Sequence, residues 1–146
     1  MGHYESRTVI DEAAVASCNM QCEANINRIE QKIQSLELDL QHYATILDDL
    51  NEKEKAFSQS AQYCYKIDED TYDAGLNCTI KDYVDAVTTA RQNNSDLITE
   101  YQGKQDVATT ELSLERDNLV KERNAKKECA SITKVVSIWV EDAHEG

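Results

Sequence analysis

Proline is absent from this chain of 146 residues, glycine occurs four times, and phenylalanine and tryptophan once each. Without proline nothing breaks a helix sharply, and with so little glycine tight turns are few, so the chain must travel far before it reverses. Basic residues are also scarce. Lys and Arg number 15 against 28 Asp and Glu, a formal charge of -13, and clustered cations are what phosphate backbones and anionic bilayers require. Nucleic acid is therefore not an expected partner. No run approaches the roughly 20 apolar residues of a membrane span. The opening MGHYESRTVIDEAAV has neither the basic start nor the apolar stretch of a secretory leader. The expected location is the cytoplasm, or export without a cleaved signal peptide.

What is present is periodicity. Ile26, Ile29, Ile33, Leu36, Leu40, Tyr43, Leu47 and Leu50 follow one another at alternating spacings of three and four, the a/d seam of a coiled coil. Glu54 interrupts the series and Phe57 resumes it; backward, the register passes through Cys22, Asn19 and Val15. A first long helix is expected over about 8–62. The stretch DEDTYDAGLNC, Asp68 to Cys78, gathers charge, a glycine and an asparagine between periodic segments, so an elbow is expected over 63–78. Gly75 would supply a permissive backbone there and Asn77 a helix cap.

A second long helix, about 79–127, carries a looser seam: Ile80, Tyr83, Val87 and Ala90 alternate further on with Asn94, Gln105 and Glu115. Gly103 within it costs about 1 kcal/mol relative to alanine, which points to a bend or a close contact. After Lys121, Arg123, Lys126 and Lys127, the residues Cys129, Ile132, Val136 and Trp139 recur at helical spacing. They predict a short apolar helical tail over 128–141, lying beside Val9, Ile10, Ala13 and Ala14. Apolar residues make up 40% of the chain and the mean hydropathy is -0.64, which suits a narrow seam rather than a broad core. The predicted class is all-α: a single helical domain over 1–146, a long antiparallel hairpin with coiled-coil character.

Five cysteines, Cys18, Cys22, Cys64, Cys78 and Cys129, are an odd number, so at least one is unpaired within the chain. Partners across an antiparallel pair have nearly constant sums of residue number. Cys64 with Cys78 and Cys18 with Cys129 satisfy that rule as two candidate disulfides. The other reading is that the thiols stay reduced and serve as small apolar residues. Cys18 and Cys22 form one C-x3-C motif, and a helical-hairpin carrier of the mitochondrial intermembrane space would need two.

His3, His42 and His144 are scattered, and no cysteine or histidine pair has the spacing of a closed zinc site. No G-x-S-x-G, phosphate loop or paired carboxylates in an apolar setting occurs. The acids on heptad flanks read as a solvated face. No catalytic residue, cofactor or metal is expected, and the protein is not expected to be an enzyme. Trp139 reads either as an anchor for a partner or as a cap on the core of its own bundle.

INRIEQKIQSLELDL, the elbow Tyr72-Asp73-Ala74-Gly75, and the second amphipathic helix resemble, over about 20–127, the small helical proteins of bacterial type VII secretion. The likeness is to the partner proteins encoded beside LXG toxins and, more distantly, to the WXG100 family. The elbow departs from W-x-G in having Tyr for Trp and one extra residue. Tyr65 to Glu69, YKIDE, fits the Y-x-x-x-[DE] export pattern of some members, although it precedes the elbow. The resemblance implies a non-enzymatic adaptor that pairs with the helical N-terminal domain of a secreted toxin or with a second small helical protein. The expected interface is the seam Ile26 to Leu50 with Phe57 and Trp139. From the residues alone, a structural coiled coil that homodimerises through the same seam, as a filament, phage or cytoskeletal spacer, is the second expectation.

Overall fold

The computed structural model describes residues 1–70 and 74–142, and side chains outside 61–80. In chain order it comprises β1 (Gly2–Ile10), α1 (Glu12–Asp70), α2 (Ala74–Glu128), a 3-10 turn (Cys129–Ser131) and β2 (Thr133–Glu141). The chain is mostly helical, with two long helices, but it is not all-α.

Both ends differ from the sequence expectation. The predicted third helical segment over 128–141 is a 3-10 turn followed by a strand, and the residues before Asp11 are a strand rather than the first turns of α1. TKVVSIWVE and HYESRTVI are rich in β-branched and aromatic side chains, which lose rotamer freedom in a helix and pack well on a pleated ribbon. Of the four residues at helical spacing, Cys129 lies in the 3-10 turn and Ile132 just after it, while Val136 and Trp139 fall on opposite faces of β2.

β1 and β2 pair antiparallel over nine rungs, from Gly2 opposite Glu141 to Ile10 opposite Thr133. Residues 63–70 and 74–78, expected in the elbow, are helical, since α1 continues to Asp70 and α2 starts at Ala74. The predicted elbow residue Tyr72 lies outside the described residues.

The chain divides into two compact units. The first contains Met1–Gln34 and Ser113–Gly146. Within it the early turns of α1 lie against the last turns of α2, with Cys22, Ile29 and Ile33 buried. Lys32 to Glu115, Arg123 to Glu30 and Lys126 to Glu23 form ion pairs between the helices at 2.9 to 3.2 Å. The Arg123–Glu30 and Lys126–Glu23 pairs are exposed on both sides and each worth about 0–1 kcal/mol, whereas the Glu115 side chain is 12% exposed.

The second unit is Ser35–Leu112. Leu36, Leu47, Leu50, Ala108 and Leu112 are its buried apolar residues, and Asn94 is buried among them. Asn94 Nδ2 donates to the Leu50 carbonyl at 2.9 Å. A polar side chain satisfied inside a seam selects one register at some loss of stability. Glu54, which breaks the heptad in sequence, accepts from Arg91 Nε at 2.9 Å through Oε1, while its Oε2 is buried with no hydrogen-bond partner. Tyr43 and Tyr101 meet with ring centroids 6.0 Å apart. Tyr83, expected in the α2 seam, is instead 52% exposed.

Gly103 sits within the continuous α2, and a Cβ built there meets nothing within 4 Å. Of the two sequence expectations, a bend or a close contact, the close contact is not found. Gly103→Ala should therefore stabilise the protein by about 0.5–1 kcal/mol through the lost freedom of the unfolded backbone. A rise in the denaturant midpoint at constant slope would report it, whereas a fall would show that the glycine is needed for a contact or a bend.

Candidate functional site

The functional candidates lie in the first unit, where strands and helices join. Asp11 occupies the junction. Its backbone N–H donates to the Ile132 carbonyl at 3.0 Å, its carbonyl accepts from Val15 N–H at 2.9 Å, and Oδ1 accepts from Ala14 N–H at 3.1 Å. The side chain thereby caps α1, with Glu12 following in the first turn, as helix N-termini favour. At the other side of the junction, Lys126 and Lys127 occupy the last turn of α2, where cations complement the helix dipole.

Three cysteines converge at this junction. Cys18 and Cys129 are joined as a disulfide with Cα atoms 5.7 Å apart, spanning 111 residues of sequence. Cys22, one turn beyond Cys18 on α1, is a buried free thiol whose Sγ is 3.8 Å from that of Cys129. The three sulfurs all lie within 4.8 Å of one another. Cys129 is 1% exposed and Cys22 8%. With Cys129 oxidised, Cys22 is the member of the group that carries an S–H. Index sums brought Cys18 and Cys129 together in the sequence, but Cys22 was read as a seam position and as half of a C-x3-C motif, not as a neighbour of Cys129. The signal that it belongs here was its i,i+4 relation to Cys18, which puts both on one helix face.

The ribbon stands on this junction. Met1 and Asp142 close its far end, the Asp142 N–H donating to the Met1 carbonyl at 3.1 Å. One face carries Tyr4 opposite Trp139, edge to face at 5.1 Å between centroids, and further along Thr8 opposite Val135. Gly2 is needed beneath the indole: a Cβ there would meet Trp139 carbons at 2.7 Å and also the Val140 carbonyl oxygen. Tyr4 and Val135 are each 70% exposed, Trp139 52% and Ile10 50%. On the other face His3, Glu5 and Arg7 of β1 stand opposite Val140, Ile138 and Val136. Trp139 is thus on a strand, facing solvent, not on a helical stripe or in a core.

The predicted interface residues on α1 have a different fate. Ile29, Ile33, Leu36, Leu47 and Leu50 are buried, while Ile26, Leu40, Tyr43 and Phe57 are half-buried. A partner reading this stripe would have to displace α2. The export candidates Tyr65 and Glu69 belong to the α1 backbone and Gly75 to that of α2, and their side chains lie outside the described residues. So do those of Cys64 and Cys78. No described helix is long and apolar enough to cross a membrane.

No protein-family model, curated protein or solved structure matches the chain. Its structure defines a mostly helical protein of two long helices with a two-stranded antiparallel sheet.

Two measurements test this junction. Cys129→Ala removes the shared partner of both α1 cysteines, so it should lower stability by about 2–4 kcal/mol. Equal loss on reducing the native chain would assign the effect to the disulfide, and an unchanged denaturation midpoint in both would refute it. His3 is exposed, with Nε2 2.9 Å from Glu5 and Nδ1 3.1 Å from Asp142. Its hydrogen bonds to Glu5 and then Asp142 raise its pKa above the ordinary 6.5. A raised folded value means that the contribution to ribbon stability is complete below the unfolded pKa and disappears as pH rises through the folded one. An NMR titration should give His3 a higher midpoint than in a peptide of residues 1–8; an equal midpoint would show that these contacts do not persist.

Proposed function

We propose that this chain is a non-enzymatic adaptor that works by binding a protein partner, with the ribbon end as its principal contact. One observation carries the reading: an aromatic and aliphatic strand face, Tyr4, Trp139, Val135 and Ile10, is exposed on a ribbon of only two strands. An isolated two-stranded ribbon is marginal in water. Its edges offer unpaired N–H and C=O groups to a further strand, and exposed Trp and Tyr are the side chains most enriched at binding hot spots.

The resemblance to type VII secretion partner proteins supplies the class of partner: the helical N-terminal domain of a secreted toxin, or a second small helical protein. Exposed apolar side chains on the helices, Leu38, Leu97 and Val107 in the second unit and Leu114 and Val120 in the first, are suited to a helical partner. The alternative, a structural homo-oligomer, is favoured by the same ribbon, since two copies can extend one sheet by edge pairing.

Light scattering of the purified chain, alone and after co-expression with the helical domain of a toxin encoded beside it, separates these readings. A one-to-one complex supports the adaptor, and a defined homo-oligomer unaffected by the toxin domain supports the structural protein. In either assembly Trp139→Ala should weaken association by at least about tenfold, roughly 1.4 kcal/mol. Unchanged association in Trp139→Ala and in Tyr4→Ala would sink the ribbon as the contact surface.

A further inference from the structure

We propose that Cys18, Cys22 and Cys129, once reduced, form a three-thiolate site for a soft d10 cation, Cu(I) in preference to Zn(II). The same sulfurs would then close the junction in two ways, by a disulfide or by a metal. This goes beyond the partner-binding reading and stands independently of it.

The geometry begins with α1. Cys18 and Cys22 are one helical turn apart on one face, so two ligands are placed by a single rigid element. Cys129 arrives from the turn after α2, and its sulfur is 3.8 Å from that of Cys22. Two sulfurs each about 2.3 Å from a common metal lie roughly 3.8–4.0 Å apart in tetrahedral or trigonal coordination. The Cys22–Cys129 pair already has that separation, and opening the disulfide lets Cys18 withdraw to match it. A staple alone requires two cysteines; the third sulfur is what a ligand set adds.

The choice of ion follows from what surrounds the sulfurs. Among the described residues no carboxylate or imidazole joins the group of three. Thiolates suit both Cu(I) and Zn(II), but structural zinc sites are closed by four protein ligands, and only three sulfurs meet here. Cys129 and Cys22 are almost inaccessible to water, which disfavours a solvent fourth ligand. Three thiolates around a monovalent ion leave two negative charges. Lys127 lines the cleft at Asn19 and Ala130, the sequence neighbours of Cys18 and Cys129, beside Arg123 and Lys126, whose charges are already paired with Glu30 and Glu23.

The chemistry balances without an unnamed participant. A dithiol reductant supplies two electrons and two protons to the Cys18–Cys129 bond and itself closes to a disulfide. Binding then releases one proton from each of the three thiols as three metal–sulfur bonds form.

The full chain carrying Cys64→Ser and Cys78→Ser, reduced and desalted without oxygen, is titrated with Cu(I) and separately with Zn(II) against a competing chelator. One Cu(I) per chain, three sulfur neighbours by X-ray absorption, and at least roughly tenfold weaker Zn(II) binding are expected. Adding Cys22→Ser should weaken Cu(I) binding by at least the 10–100-fold typical of lost second-shell support. That variant retains both disulfide cysteines, so an unchanged circular dichroism spectrum in its oxidised form checks its fold. Failure to retain Cu(I), or Cu(I) affinity unchanged by Cys22→Ser in the folded variant, would overturn the proposal. So would tighter binding of Zn(II) than of Cu(I).

Discussion

The first unit depends on the covalent tie between the start of α1 and the end of α2. Cys18 and Cys129 are 111 residues apart in sequence, and bringing such distant segments together carries a loop-closure penalty that grows slowly with length. Once this crossing is held, Asp11 reaches Ile132 through a backbone hydrogen bond, and the next residues outward, Ile10 and Thr133, form the first rung of the ladder. A ribbon too small to be stable alone is thereby made local, because its strands start from a junction that is already closed.

That dependence explains the division of labour between the halves of the first unit. The helices supply burial: Cys22, Ile29 and Ile33 leave water. The strands supply surface, with Tyr4, Trp139 and Val135 in solvent. Apolar groups of the strands are exposed, while the seam that resembles an interface in sequence is occupied by the chain itself. The second unit makes a related compromise, since Asn94 gives up apolar burial for a hydrogen bond to Leu50 that a shifted register would lose.

The junction also concentrates chemistry. A disulfide, a buried thiol beside it and a flanking set of basic side chains meet within a few residues of the ribbon. Asp11, which caps α1, also bonds to the segment leading into β2, so the helix start and the ribbon share one residue beside these sulfurs.

The long helices were legible in the amino-acid sequence because their determinants are local: no proline, and apolar residues from Ile26 to Leu50 at heptad spacing. The proximity of Cys18 and Cys129 was legible too, since antiparallel pairing constrains residue numbers. The ends were not. Cys129, Ile132, Val136 and Trp139 satisfy a helical period, and only pairing with β1 makes the strand the better state, because a strand's hydrogen bonds lie on another segment whereas a helix supplies its own. The place of Cys22 beside Cys129 was likewise decided in three dimensions. Periodicity put it on the seam, but which side chain it meets there depends on the rotation and register of α2, and those are properties of the packed pair rather than of either helix.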